Sequence, residues 1–130
     1  MSSLEEVKTH IYSFEKLVVW QKAIELAKIL YSITSQFPEV ENYGLSSQIK
    51  RAVVSISSNI AEGYVKSSSK ELVRFTEIAY GSLMEVLNQI IIAYEVEYIS
   101  EDNYLIIRQS IEEISRMLNA LRNSQMKKYC

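Results

Sequence analysis

Residues 68–98 read SSKELVRFTEIAYGSLMEVLNQIIIAYEVEY, and this stretch decides the fold class. It holds no proline and a single glycine, Gly81. Its opening Ser68-Ser69-Lys70-Glu71 has the form of a capping box, in which serine and glutamate side chains satisfy free N–H groups at a helix start. Apolar residues such as Leu72, Phe75, Ala79, Leu83, Val86 and Ile90 then recur every three or four positions, which predicts a helix over about Ser69 to Tyr98. The polar residues Arg74, Glu77, Ser82, Glu85, Asn88 and Gln89, with Gly81 among them, fill an arc of only ~140° at the helical angle. A helix with so wide an apolar surface is either central within a bundle or lends a second face to a neighbouring subunit.

Upstream, Leu45, Ile49, Ala52, Val53, Ile56 and Ile60 share one side of a helix expected over Leu45 to Glu62, with Lys50, Ser57 and Ala61 pointing away. Gly63 stands where a left-handed C-terminal cap is needed, and Gly63 to Ser67 forms the turn. An earlier helix runs from about Phe14 to Phe37 on a seam of Leu17, Trp20, Ile24, Ala27, Tyr31 and Thr34, and Pro38 stops it. Glu39 to Gly44 is the connection. Downstream, Ser100-Glu101-Asp102 caps a last helix whose seam is Ile107, Ile111, Ile114, Leu118 and Leu121. Residues 1–13 read as a lead-in and 125–130 as a polar tail, both expected to be poorly ordered. Four helices on short connections predict one all-α domain over residues 1–130, an antiparallel up-down-up-down four-helix bundle.

Composition agrees with this expectation and narrows the function classes. Of 130 residues, 48% are hydrophobic and 23% charged, the balance of a globular chain with a sizeable core. Three glycines and one proline are too few for the many turns of a β-sandwich or barrel. Cys130 is the single cysteine, so an internal disulfide and a cysteine-built metal site within one chain are both excluded. Met1 to His10 lacks the basic and apolar regions of a signal peptide, and no apolar run reaches the ~20 residues of a membrane span. The reading is cytoplasmic, with no membrane partner. A net charge of −2 gives no global argument for nucleic-acid binding, though it permits a local basic patch.

The residues offer no catalytic apparatus. His10 is the sole histidine and has no partner near it in sequence. Glu5-Glu6 and Glu112-Glu113 are adjacent pairs that a helix points apart, and the Glu-x-x-His motif of di-metal bundles is absent. Ser55, Ser57, Ser58 and the run Ser67 to Ser69 read as capping and packing residues, because an activated serine needs a base. No phosphate loop or nucleophile elbow occurs. The expectation is a non-enzyme without cofactor or metal.

Two groups remain as candidates. Arg51, Ser55, Ser58, Asn59 and Glu62 form a polar line beside the apolar face of the second helix. If the second and third helices turn near residue 65, Arg51 lies level with Tyr80 and Gly81. It would then pair with Glu85 or Glu77 at a helix or subunit interface, with Gly81 allowing close backbone approach. The bland alternative to a ligand site is a structural network that fixes helix register. Lys50, Lys66, Lys70 and Arg74 form the second group, readable as a nucleic-acid contact or as a solvated face.

Leu17-x-x-Trp20-x-x-Ala23, Phe37-Pro38, Gln48-Ile49-x-Arg51-Ala52, Ser55-Ile56-x-x-Asn59-Ile60-Ala61-Glu62-Gly63 and Gly81-Ser82-Leu83-x-Glu85 together resemble the bacterial 23S ribosomal RNA intervening-sequence proteins, also labelled the S23 ribosomal protein family. The similarity runs from about Phe14 to Leu121, and Asn59 to Gly63 is its most specific part. What the resemblance implies is an antiparallel four-helix bundle that assembles into a ring-like homopentamer, with a poorly defined molecular role. The expected function is a self-assembling interaction or scaffold module whose partners are copies of itself and RNA or an RNA-processing protein. The alternative is a direct nucleic-acid-binding accessory protein using a basic patch repeated around the oligomer.

Overall fold

The computed structural model describes residues 9–66 and 68–129, with the backbone alone described at Tyr129. Residues 1–8, which carry most of the leader reading and the Glu5-Glu6 pair, lie outside the described residues, as do Ser67 and the Cys130 thiol. A short 3₁₀ turn over Ser13–Lys16 precedes helix α1, Val18–Thr34. A second 3₁₀ turn, Glu39–Glu41, leads to α2, Leu45–Gly63, and then come α3, Ser69–Glu95, and α4, Glu101–Tyr129. There is no strand among the described residues.

Each helix packs on its neighbours in sequence, α4 closes back on α1, and the diagonal pairs α1–α3 and α2–α4 do not approach. Contacts fix the direction of two of these pairs. Ser55 meets Ser82, and Gly63 faces Phe75, so α2 and α3 run antiparallel. Thr76 meets Gln125, Glu77 meets Arg122 and Tyr80 meets Ser115, so α3 and α4 do too. The result is a four-helix bundle around one continuous core.

That core is built from the stripes that periodicity marks on α2 and α4. Ile49, Val53, Ile56 and Ile60 of α2 and Ile107, Ile111, Ile114 and Leu118 of α4 are all buried in it, each at most 2% exposed. Burial of each such side chain contributes about 1.5–3 kcal/mol. The wide apolar surface of α3 is used largely within the chain, because α3 packs on both α2 and α4. Ile78 and Ile92, 39% and 44% exposed, remain outside.

Helix α1 differs from expectation. Its buried residues are Val19, Ala23, Leu26, Leu30 and Thr34; of the expected seam only Thr34 is among them, while Leu17, Trp20 and Ala27 pack half-buried against the core and Tyr31 is exposed. The two stripes lie about 90° apart at 100° per residue, so α1 carries two apolar faces and turns one of them inward. The helix also ends three residues early, at Thr34, whose hydroxyl donates to the Leu30 carbonyl at 2.7 Å. Phe37 nevertheless reaches the core, 6% exposed, and its ring lies 5.2 Å from that of Tyr98.

The connections are held by specific side chains. Ser68 Oγ accepts from the Glu71 N–H at 3.3 Å, the serine half of the capping box. Ser100 Oγ accepts from Asn103 N–H at the start of α4. Glu41 does double duty at the start of α2, accepting from Leu45 N–H through Oε1 at 3.1 Å and from the Tyr98 hydroxyl through Oε2 at 2.9 Å. It thereby ties the α1–α2 connection to the α3–α4 turn. That turn is a Schellman motif, with Tyr98 N–H donating to the Ala93 carbonyl and Glu97 N–H to Tyr94. Its left-handed position, normally glycine, is Glu97 at φ 66°. The polar tail forms no separate segment, since α4 continues to Tyr129 and Gln125 is buried against Thr76.

Candidate functional site

The polar line on α2 forms a network, but not with the expected members. Asn59 Nδ2 donates to the Ser55 carbonyl at 2.7 Å and to Ser55 Oγ at 3.0 Å. Ser55 Oγ lies 2.8 Å from Ser82 Oγ across the α2–α3 interface. Ser55 Oγ accepts from Asn59 and shares a hydrogen bond with Ser82 in which either hydroxyl can donate, and this chain pins helix register. Ser57, expected to point away, is 8% exposed and donates to the Val54 carbonyl. It lies on the flank of α2 that meets α1, where a small side chain lets the helices close.

Arg51 stands apart from this network. It is exposed and has no ion pair among the described residues. Glu77 instead accepts from Arg122 Nε at 2.6 Å, and Glu85 accepts from Gln89 Nε2 at 3.3 Å. Register separates Arg51 from Glu77, while Glu85, one residue from the level of Arg51, is engaged by Gln89 instead. Ser55 opposite Ser82 and Gly63 opposite Phe75 place Arg51 level with Val86, about five residues beyond the level set by a turn at residue 65. Glu62 is exposed as well.

The two motif glycines exchange roles. Gly63 is not left-handed, since no described glycine has positive φ. It is needed for proximity, because a Cβ built there would sit 2.9 Å from Phe75 Cβ and 3.4 Å from Leu72 Cδ1. Gly81, expected at the close approach, is exposed and has nothing within 4 Å of such a Cβ.

The basic candidates divide by position. Lys50 lies near the start of α2 with Nζ 5.3 Å from the Tyr31 ring centroid. It is about 20 Å along the helix axis from the end of α2, at 1.5 Å per residue, and so is not part of one patch with the others. Lys66, Lys70 and Arg74 do gather at one end of the bundle, and the structure adds Arg122, Lys127 and Lys128 from α4, which the antiparallel packing on α3 brings to the same end. Sequence reasoning missed those three because nothing local links the two segments. The opposite end carries Glu39, Glu41, Glu95, Glu97, Glu101 and Asp102, and no Lys or Arg occurs between Lys28 and Lys50 or between Arg74 and Arg108. The bundle is thus polarised along its axis, acidic at the α3–α4 turn and basic at the α2–α3 turn.

The Tyr98 phenol is raised above its usual value, first by its hydrogen bond to Glu41, then by burial and by the carboxylate's charge. His10 is exposed, its ring edge-on to Tyr12 at 4.7 Å, and touches no carboxylate. Among the described residues no three His, Cys, Asp or Glu side chains are placed to hold a metal, and no helix is long and apolar enough to cross a membrane. Among the described residues, the buried polar atoms Ser46 Oγ, Gln89 Oε1 and Gln125 Nε2 lack a partner.

Comparison with known proteins agrees with the architecture. A crystal structure of a protein of unknown function from the S23 ribosomal protein family of Bacteroides thetaiotaomicron is similar at TM-score 0.72 and 28% identity. The likeness covers 81% of this chain and 98% of that one. No curated protein matches. The sequence pattern of the 23S rRNA-intervening sequence proteins matches residues 15–120, spanning the first 3₁₀ turn, α1, α2, α3 and most of α4. The chain therefore belongs to the 23S rRNA-intervening sequence protein family.

Proposed function

We propose that this chain is a non-enzymatic, self-assembling interaction module, whose copies associate through outer helix faces into the ring of five that its family resemblance implies. One observation carries the reading. The stripe Leu17, Trp20, Ile24, Ala27 and Tyr31 alternates in steps of three and four, the spacing of a coiled-coil seam. In the folded chain Leu17, Trp20, Ile24 and Ala27 are only half-buried at the edge of the core, while Tyr31 is 47% exposed and Val54 of the adjoining α2 42% exposed. The chain's own core covers this stripe only in part, which leaves apolar surface for a second copy. The family name ties its members to intervening sequences of 23S rRNA, and this supports an RNA-associated scaffold role.

The test is the mass in solution of the wild-type chain and of Tyr31→Glu, each checked for helical circular dichroism. The expected result is a wild-type assembly of five chains and a folded Tyr31→Glu protein of smaller mass. A wild-type monomer, or a variant that assembles unchanged, overturns the reading.

A further inference from the structure

We infer that the basic end of the bundle is a docking site for the phosphate backbone of single-stranded RNA. This goes beyond self-assembly and does not depend on it.

Three observations converge. First, α3 starts beyond the end of α2. Gly63, the last residue of α2, faces Phe75, so α3 begins about 9 Å past that level at the helical rise, with Tyr64 to Lys66 continuing α2 in 3₁₀-type turns beside it. The end of α4 extends alongside, because Gln125 is level with Thr76. Second, this edge carries cations that its own carboxylates, Glu71 and Glu77, do not pair, Glu77 being taken by Arg122. Lys70, Arg74 and Lys127 are exposed and make no ion pair among the described residues. Lys66 is exposed, with Nζ over the Phe75 ring at 5.3 Å. Lys70 and Arg74 stand four residues apart on one helix face, where like charges cost about 0.2–0.5 kcal/mol of stability. Folding gains nothing from that placement. Third, a cavity of about 520 Å³ lined by Ser68, Lys70, Glu71, Val73, Arg74 and Glu77 opens beside these groups.

The chemistry that fits is a flexible line of negative charge. A single-stranded phosphodiester chain can follow cations arranged along the edge of two projecting helices, each Lys or Arg displacing a counterion. The acidic end of a second copy is the rival anion. It is broad, and one of its carboxylates, Glu41, is already engaged by Leu45 N–H and the Tyr98 hydroxyl. A projecting edge would meet only part of it.

The experiment is fluorescence anisotropy of a labelled oligouridylate with the full chain across a salt series. With Lys66, Lys70, Arg74 and Lys127 as contacts, affinity should fall about 50-fold between about 50 and 200 mM salt, from a slope of about −0.7 per cation. The double variant Lys70→Gln/Arg74→Gln, verified as helical, should reduce that fall to about 7-fold and weaken low-salt binding. Lys50→Gln, at the other end of α2, should bind as wild type. Absent binding at low salt, an unchanged slope in the double variant, or an equal loss in Lys50→Gln overturns the proposal. So does a double variant whose only change is a smaller assembled mass, since that outcome assigns the basic end to a second copy.

Discussion

Replacing Gly63 or Gly81 by alanine makes the same chemical change on two helices, and the structure assigns the two opposite signs. Alanine favours a helix over glycine by about 0.8–1 kcal/mol in the interior, and less at a last residue such as Gly63. At Gly81 nothing lies within 4 Å of the new methyl, so Gly81→Ala should stabilise by most of that amount. At Gly63 the methyl would lie 2.9 Å from Phe75 Cβ. That atom is bonded directly to the α3 backbone, so no rotamer change relieves the clash and the two helices must separate. Overpacking of this kind costs about 1–3 kcal/mol. Net of propensity, Gly63→Ala should destabilise by about 1 kcal/mol, which leaves the variants about 2 kcal/mol apart. Urea unfolding monitored by circular dichroism, at one fixed protein concentration because assembly adds to apparent stability, should show midpoints shifted in opposite directions. If Gly63→Ala raises the midpoint as much as Gly81→Ala, the close approach of α2 and α3 at Gly63 is refuted.

Two further substitutions probe the α3–α4 turn. Glu97 holds φ 66°, a left-handed conformation that costs a side chain about 1–2 kcal/mol, while glycine adds about 0.4–1 kcal/mol of unfolded-state entropy. Glu97→Gly should therefore stabilise by about 0.5–1 kcal/mol, and a lower melting temperature would contradict the Schellman geometry. The raised pKa of Tyr98 sets a pH dependence of defined sign. A phenol held protonated in the folded state contributes stability that is fully present below the unfolded value near 10 and is lost as pH rises through the folded value. Unfolding midpoints measured at about pH 8 and about pH 11 should converge for wild type and Tyr98→Phe at the higher pH. A constant difference across that range would show that Glu41 does not hold the phenol.

The helices were legible where one stripe answered to one interface. On α2 and α4 the apolar residues at three- and four-residue spacing are the buried ones, and the predicted caps at Ser68 and Ser100 form, because capping is local chemistry. The candidate site was less legible. Ser55 and Asn59 do join a network, yet its third member is Ser82, while Arg51, Glu62 and Glu85 lie outside it. Pairing across helices depends on axial register, and register depends on how Tyr64 to Lys66 continue the end of α2 in 3₁₀-type turns before α3 begins.

The sequence by itself thus determined an all-helical chain, its four helices, the inward faces of α2 and α4, and membership of a family. The first three follow from periodicity, capping and composition within single segments, and the family from the resemblance of motifs spread along the chain. Tertiary structure alone decided which stripe of α1 entered the core, that Gly63 rather than Gly81 stands at the close approach, and that the cations of α3 and α4 share one end. Each of these depends on the relative rotation and offset of two helices. Those quantities are set by packing across the whole bundle, and no single segment encodes them.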